Sequence, residues 1–401
     1  MKILMINSVC GIRSTGRICT DLADALTEQG HTAKIAYGRE DVPDKYKKYA
    51  VRIGTDLDVK LHGVRARLLD ESGFGSKRAT KKFIEWVKKY DPDVIHLHNI
   101  HGYYINIEVL FDYLRTCGKK IIWTLHDCWA FTGHAAYCDA VGCTRWKKGC
   151  HNCPNKKEYP IAFTDNSKLN WLKKRKLFTK IPNLQIVTPS KWLAGLVKES
   201  FLSKYPVTVI HNGIDTSVFK PVDSSNMRDK LNIGDKKVIL GVAAIWDSRK
   251  GLDDFIKLNK LIDHKEYQIV LVGLSQKQID DIPKNIIGIG RTDSVEELVE
   301  LYSLAHVFVN PTYEDNYPTT NLEAIACGTP VITYDTGGSP ESAICYGSVI
   351  EKGDYRGVLM QIMNHNNMHM SNIDIKADRI TIDKTMAVND YLFIYKSSHM
   401  N

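Results

Sequence analysis

The sequence of 401 residues has no run of 18 or more apolar residues, which a membrane-spanning helix would need. Its N-terminus, MKILMINSV, lacks the longer apolar segment and small-residue cleavage site of a signal peptide, so we interpret it as a first buried strand. No helix-turn-helix, zinc-finger or RNA-recognition signature occurs, which argues against a nucleic-acid-binding protein. These absences predict a cytoplasmic protein whose ten cysteines are mostly thiols or metal ligands rather than disulfides.

The composition is that of a soluble globular protein, and the length suits two domains. The net charge of +8 is unevenly distributed. Residues 1–210 hold 35 Lys and Arg against 20 Asp and Glu, a net charge of +15, whereas residues 211–401 carry −7. The basic half contains the segments KKFIEWVKK and KLNWLKKRKLF. These segments form either solvated helix faces or a surface for an anionic membrane, where each basic residue contributes about 1 kcal/mol.

Apolar, strand-like segments alternate with helical segments along both halves of the chain. The predicted strands include KILMIN, AKIAYG, DVIHLH and KIIWTLH in the first half and KVILGVA, YQIVLVG, HVFVN and PVITYD in the second. This alternation predicts the α/β class, with a parallel sheet and helices on both faces in each half. The loop-forming segment HNGIDTSVFKP indicates a boundary, so we predict domains at residues 1–210 and 211–383. Residues 384–401 are predicted to form a terminal helix that packs back toward the first domain.

The segment EDNYPTTNLEAIACGTPVI, residues 314–332, joins an acidic loop to a short helix. Pro318 suits a helix start, and the spacing predicts a helix over residues 319–327 that ends at Gly328. The free N–H groups of Thr319 and Thr320 at such a start favour an anion such as a diphosphate. Nearby acids are explained by a ligand that also carries hydroxyl groups, because carboxylates accept hydrogen bonds from vicinal hydroxyls. A capped surface helix with unrelated acids is the alternative.

Two further segments are candidates for phosphate contacts. DSRKG places Arg249 and Lys250 directly after a predicted strand, where two cations can hold a diphosphate. An exposed basic turn is the alternative. STGRI places Gly16 after the first strand and before a helix predicted over residues 20–29, where a glycine lets a phosphate approach the backbone. Its spacing is not that of a dinucleotide-binding GxGxxG motif.

Taken in order, these segments resemble the retaining, nucleotide-sugar-dependent glycosyltransferases of family four, which have the GT-B fold. The resemblance covers nearly the full length and rests on STGRICTDLADAL, PDVIHLHN, TLHDCWAFTG, TPSKWLA, VIHNGID, SRKGLDDFI, GIGRT and EDNYPTTNLEAIACGTPVI. It implies two facing Rossmann-like domains, each with a doubly wound parallel sheet. The pattern HDCWAFTG followed by GCHNCP looks like the branch that builds bacterial capsule, exopolysaccharide and colanic-acid repeats.

The resemblance also implies which residues bind the donor and which are catalytic. Asp315, where relatives more often have Glu, would contact the sugar hydroxyls, and Glu323 would contact the ribose hydroxyls. The implied donor-binding residues are Gly16, Arg249, Lys250, Arg291, Glu314, Asp315, Asn316, Tyr317, Thr319, Thr320 and Glu323. The implied catalytic residues are His126, Arg249, Lys250 and Asp315. Many relatives have a further Arg where this chain has Ala244 and Ile245, so Arg249 would replace it.

The implied reaction is transfer of a glycosyl group to a hydroxyl acceptor with retention of configuration and without a catalytic metal. We interpret the two DxD matches, at residues 56–58 and 91–93, as a variable segment and the start of a strand. Lipid-linked oligosaccharide acceptors would suit a basic half that lies on the inner face of the membrane. Two alternatives are a nucleotide-sugar 2-epimerase with the same fold and a non-enzymatic basic binding module.

Cysteine and histidine clusters could indicate metal sites. Cys138, Cys143, Cys150 and Cys153 include one C-x2-C pair, and their spacing is typical of a structural zinc ion. A reducible disulfide or free thiols are the alternatives. We interpret the three histidines of HLHNIH as packing and loop residues, because the sequence pairs no acid with them; they are His96, His98 and His101.

Overall fold

The computed structural model describes residues 1–343, 347–365 and 380–397. The chain divides into two compact units. The N-terminal unit comprises Met1–His211 together with the residues from Val388 onward, and the C-terminal unit comprises Asn212–Ala387. No helix within the described ranges combines the length and the apolar character needed to cross a lipid bilayer.

The N-terminal unit is built on a seven-stranded parallel sheet with the order β3-β2-β1-β4-β5-β6-β7. Its central strands are continuous apolar runs because helices cover both faces of the sheet. The strands are β1 (Lys2–Ile6), β2 (Thr32–Tyr37), β3 (Ala50–Arg52), β4 (Val94–Leu97), β5 (Lys120–Thr124), β6 (Leu184–Thr188) and β7 (Val207–Val209). The helices are α1 (Arg13–Glu28), α2 (Asp56–Leu69), α3 (Lys77–Tyr90), α4 (Ile107–Leu114), α5 (Ser167–Phe178) and α6 (Lys191–Glu199).

The C-terminal unit is built on a six-stranded parallel sheet with the order β10-β9-β8-β11-β12-β13. The strands are β8 (Lys237–Val242), β9 (Tyr267–Val272), β10 (Ile286–Ile289), β11 (Ala305–Asn310), β12 (Val331–Tyr334) and β13 (Gly347–Ile350). The helices are α7 (Ser225–Lys230), α8 (Leu252–Asn259), α9 (Gln276–Asp281), α10 (Val295–Leu304), α11 (Thr319–Ala326) and α12 (Tyr355–His365). A further helix, Lys384–Lys396, begins in this unit and continues into the N-terminal unit. Two doubly wound parallel sheets confirm the predicted fold class.

The start of the first helix differs from the prediction. Helix α1 begins at Arg13 rather than at residue 20, so Gly16 lies inside the helix and is buried. A Cβ atom at Gly16 would lie 3.1 Å from Val9 Cγ2 and 3.2 Å from Gly11 N, which shows that the glycine lets the helix pack closely on the preceding turn. The positive φ of 74° that this turn requires is at Gly11. The interpretation of Gly16 as a residue of an open loop before the helix is therefore wrong.

Helix α2 occupies a segment that we interpreted only as variable. Thr55 caps the helix, and its side chain accepts a hydrogen bond from Asp58 N at 3.3 Å. Asp58 Oδ2 accepts one in return from Thr55 N at 2.9 Å. This capping box accounts for Asp58, and Asp56, the other acid of the first DxD match, forms an ion pair with Arg52.

The helix Lys384–Lys396 completes the core of the N-terminal unit beside β4 and β5. Tyr395 shares a hydrogen bond with His96 Nδ1 at 2.7 Å, and Tyr391 shares one with Thr124 Oγ1 at 2.9 Å. Both tyrosines are buried. Residues 398–401 lie outside the described residues.

Candidate functional site

Predicted donor-binding residues follow three strands of the C-terminal sheet. Arg249 and Lys250 come after β8, Arg291 comes after β10, and the acidic loop, residues 311–318, comes after β11. Because all strands of this sheet are parallel, their carboxyl ends lie along one edge, where α/β proteins bind ligands. Arg291 is exposed, and its strand lies at the end of the sheet, two positions from β8.

Helix α11 starts at this edge. Its first residue is Thr319, preceded by Pro318 with φ −68° and ψ 120°, and no described side chain caps the start. Asn321 fixes the first turn, because it accepts a hydrogen bond from Asn310 Nδ2 at 2.8 Å and donates one to Ser342 Oγ at 2.8 Å. Gly328 follows the helix with φ 84°. The helix predicted from the Pro and Gly positions is confirmed to within one residue.

The turn that carries Arg249 and Lys250 is bound to the acidic loop. Arg249 O accepts hydrogen bonds from Tyr313 N at 2.6 Å and from Thr312 Oγ1 at 3.2 Å. Lys250 Nζ forms an ion pair with Asp315 Oδ2 at 2.6 Å, and the two side chains are 25% and 17% exposed. The structure therefore brings together a cation and an acid that were predicted from separate motifs.

Arg249 is held by an acid that the sequence analysis missed. Its guanidinium donates to Asp247 Oδ2 from Nη2 at 2.7 Å and from Nε at 3.1 Å. Asp247 is the first residue of DSRKG and also accepts a hydrogen bond from Arg249 N at 3.0 Å. Ala244 and Ile245 are exposed in the same loop, where they supply no cation.

The other acids and polar residues of this segment differ in exposure. Glu323 is buried and accepts a hydrogen bond from Tyr302 OH at 3.0 Å. Burial and then the negative charge of Glu323 raise the pKa of Tyr302 well above its ordinary value, so Tyr302 remains a donor. Buried side chains also occur at Glu314, Asn316 and Tyr317, whereas those that remain partly exposed are Asp315, Thr319 and Thr320.

His126 follows β5 in the N-terminal unit and belongs to a cluster of histidines. His98 Nδ1 lies 3.1 Å from His126 Nε2, and His101 Nε2 lies 2.9 Å from Asp127 Oδ2. Our interpretation that no acid pairs with these histidines is therefore wrong for His101. The pairing is invisible in the sequence because Asp127 follows β5, whereas His101 follows β4.

Four buried histidines of this unit are neutral near pH 7, namely His62, His96, His98 and His126. Burial lowers the pKa of His126 to about 4 and that of His96 to about 3, with smaller contributions from charged neighbours. It also lowers the pKa of His98 well below 6.5 and that of His62 to about 4. His126 can therefore donate one hydrogen bond and accept another, but it does not act as a resident cation.

Acidification is expected to destabilise the N-terminal unit. His62 and His126 each bind a proton in the unfolded chain below pH 6.5 but in the folded chain only near pH 4. The free energy of unfolding should therefore decrease as the pH is lowered across this window. The decrease is up to about 1.4 kcal/mol per pH unit for each histidine. Urea unfolding between pH 7 and pH 4 measures this slope. The free energy of unfolding should depend less steeply on pH in His98→Gln. A urea midpoint that does not change with pH would contradict the lowered pKa values of these histidines.

Four cysteines line one cavity in the N-terminal unit. Cys138, Cys143, Cys150 and Cys153 share it with His134. None of the four is part of a disulfide, and burial raises the pKa of Cys150 and of Cys153 to about 11. In the described part of the chain, no three His, Cys, Asp or Glu side chains are grouped closely enough to hold a metal ion. The thiols would have to move toward the centre of the cavity to bind one.

Comparison with known proteins identifies the family. The sequence model of Glycosyltransferase Family 4 matches residues 15–218, and that of Glycosyl transferases group 1 matches residues 223–362. WcaC of Escherichia coli (strain K12), whose name assigns it to colanic acid biosynthesis as a glycosyl transferase, is 24% identical over 365 residues. The match covers 85% of each chain.

Solved structures share the fold. Sucrose-phosphate synthase from Thermosynechococcus elongatus has a TM-score of 0.70 and 17% identity, with 98% of each chain covered. Alr3699/HepE of Anabaena, solved in complex with UDP-glucose, has a TM-score of 0.65 and 13% identity, with 98% of this chain and 100% of that chain covered. Because one family model spans just over half of the chain and a second spans most of the remainder, the chain belongs to glycosyltransferase family 4 and is a glycosyltransferase with the GT-B fold, as its motifs predicted.

Proposed function

We propose that this protein transfers a glycosyl group from a nucleoside-diphosphate sugar to a hydroxyl of a surface-polysaccharide acceptor, with retention of configuration. The observation that carries the proposal is the start of α11, which no described side chain caps and which adjoins the Lys250–Asp315 ion pair. A helix start and a cation favour a diphosphate, whereas the carboxylates favour sugar hydroxyls. WcaC and Alr3699/HepE support the acceptor and donor classes respectively.

In this proposal, the diphosphate binds at the N–H groups of Thr319 and Thr320. Lys250 turns from Asp315 toward the phosphates and stabilises the charge that grows on the leaving group. Asp315, released from Lys250, accepts hydrogen bonds from the donor sugar. Glu323, oriented by Tyr302 OH at 3.0 Å, accepts them from the ribose. The acceptor hydroxyl gives its proton to the departing phosphate, so the chain needs no separate general base.

A thermal-shift panel of nucleotides and nucleotide sugars tests the donor class. A ligand that binds only the folded protein raises the apparent stability by mass action, so at least one nucleoside-diphosphate sugar should raise the melting temperature. Transfer is then assayed with that donor, and NMR of the product determines the anomeric configuration. An inverted product would contradict the proposed stereochemistry, and a panel without any shift would contradict the donor class.

Neither alternative function gains support from the comparisons, which match glycosyltransferases. The 2-epimerase would convert a UDP-sugar to its epimer without an acceptor, which NMR of the incubated donor would detect. The basic binding module would bind lipid or RNA without turning over any donor.

The acceptor is proposed to be lipid-linked and the protein to attach to the membrane surface. The support is the net charge of +15 over residues 1–210, together with the basic segments in α3 and α5. Anionic lipid attracts such segments, and salt weakens this attraction.

The four-cysteine cavity is proposed to hold a structural zinc ion. The support is that all four thiols line one cavity in a segment with little regular secondary structure. Zinc would contribute cross-linking rather than chemistry, because four thiolates fill its tetrahedral shell.

The zinc proposal predicts one zinc ion per chain in protein purified without chelator. Elemental analysis measures this content, and Cys150→Ser with Cys153→Ser should abolish it and lower the melting temperature. Cys117→Ser is the matched control, because Cys117 is a partly buried thiol outside the cavity. Zinc-free protein of unchanged stability would overturn the proposal in favour of free thiols.

A further inference from the structure

Helix α2 carries an apolar stripe on its solvent-facing side. The stripe consists of Leu57, Leu61, Val64 and Leu68, which are 64%, 61%, 55% and 51% exposed. Their spacing of four, three and four residues places them on one face of an α-helix. The opposite face, with His62 and Ala66, is buried in the N-terminal unit. Four large apolar side chains in one exposed row are therefore not part of the core.

Basic residues border this stripe on both sides. At 100° per residue, Lys60 and Arg67 lie on one flank of the stripe and Arg65 lies on the other. All three are exposed, and Arg65 forms an ion pair with Glu71. The acids of α2 itself lie in its first turn, where Asp56 pairs with Arg52 and Asp58 belongs to the capping box. Long basic side chains beside an apolar face can extend toward phosphate groups while their alkyl stems remain in contact with apolar surface.

Two adjoining elements extend the apolar and basic surface. Phe163, 68% exposed, is tied to the end of α2 because its N–H donates to Arg67 O at 2.7 Å. Helix α5 exposes Leu169 and Leu172 and contains five Lys and Arg but no Asp or Glu. Asn166, the residue before α5, connects this helix to the end of α2, because its Nδ2 donates to Leu69 O at 2.7 Å.

We propose that this surface, formed by α2, Phe163 and the start of α5, docks on an anionic lipid bilayer. The apolar stripe enters the boundary between headgroups and acyl chains, and the basic flanks contact the phosphates. This inference rests on the membrane attachment proposed above, but not on the transfer chemistry. It moves the principal contact from the basic segments of α3 to a helix that the sequence analysis did not detect.

Charge favours a bilayer over a second copy of the chain. A symmetric dimer through the same surface would bring the basic flanks of two copies together, and like charges facing each other disfavour that contact. An anionic bilayer supplies both an apolar layer and negative charge, which match the two components of the surface.

The inference is tested by co-sedimentation with vesicles of phosphatidylcholine containing about 30% phosphatidylglycerol, with pure phosphatidylcholine as the comparison. The stripe variant replaces Leu57, Leu61, Val64 and Leu68 with Ser. Since these side chains are exposed, the melting temperature should be unchanged, whereas affinity for anionic vesicles should fall by about 100-fold. The matched control is Met360→Ser with Met363→Ser, which removes two similarly exposed apolar side chains from the C-terminal unit. The control should bind like the wild type.

Three outcomes would overturn the inference. Wild-type protein that does not sediment with anionic vesicles would remove membrane attachment as a whole. A stripe variant that binds normally, while Lys→Gln changes at residues 81, 82, 88 and 89 abolish binding, would leave attachment in place but move it to α3. A wild-type dimer in sedimentation velocity that the stripe variant converts to a monomer would assign the surface to a second copy. Donor turnover is measured in the stripe variant as well. If turnover is retained, each of these outcomes concerns membrane docking alone and leaves the proposed transfer function intact.

Discussion

Replacing Lys250 with methionine is expected to slow glycosyl transfer by about 100- to 1,000-fold, the cost of removing one preorganised group from a developing negative charge. Methionine keeps most of the volume and the unbranched shape of lysine but removes the charge. Stability should change little, because the ion pair with Asp315 is partly exposed and such pairs contribute at most about 1 kcal/mol. Steady-state kinetics with the donor found in the thermal-shift panel measures the loss.

The control for Lys250 is a cation of the same unit outside the acidic loop. Lys260 is exposed just after α8, so Lys260→Met should have wild-type kinetics. Lys250→Arg keeps the charge and should recover part of the rate. If the transfer rate of Lys250→Met falls by less than about threefold, Lys250 does not stabilise the leaving group.

Gly337→Ala is expected to destabilise the C-terminal unit by about 2–5 kcal/mol and to abolish most of the transfer activity. Gly337 has a φ of 59°, and a Cβ atom there would lie 2.0 Å from Asp315 O. The neighbouring Gly338 N also donates to Asp315 O at 3.2 Å. The added methyl group therefore pushes directly on the residue that pairs with Lys250. Urea unfolding and the transfer assay measure the two effects.

Gly234→Ala separates backbone strain from the collision. Gly234 has a similar φ of 55°, but a Cβ atom there meets no other atom within 4 Å. This variant should lose only about 1–2 kcal/mol, the cost of the left-handed conformation, and should retain activity. Equal effects of the two substitutions on stability would refute the close packing of the acidic loop on Gly337.

Much of the C-terminal fold was predictable because its signals are local. Buried parallel strands appear as short apolar runs, and Pro318 and Gly328 mark the two ends of α11 through their own backbone preferences. The order of the motifs was sufficient to predict the family, since each motif lies on a strand or directly after one.

Other features depend on packing that a single sequence does not reveal. Gly16 looks like a loop residue by composition, yet it lies in α1 because the helix must approach Val9 and Gly11 closely. The ion pairs His101–Asp127 and Lys250–Asp315 each join residues from different strand ends, so only the strand order brings them together. Helix α2 was missed because basic and apolar residues alternate around its exposed side, which hides the usual two-faced pattern.

The position of Tyr391 and Tyr395 has a consequence for synthesis on the ribosome. These residues complete the hydrogen bonds of Thr124 and His96, although about 270 and 300 residues separate the partners along the chain. The C-terminal unit, Asn212–Ala387, therefore emerges entirely before the N-terminal unit can finish its core. During translation, the N-terminal unit should remain partly open, exposed to proteases and chaperones, until the helix Lys384–Lys396 is made and packs against it.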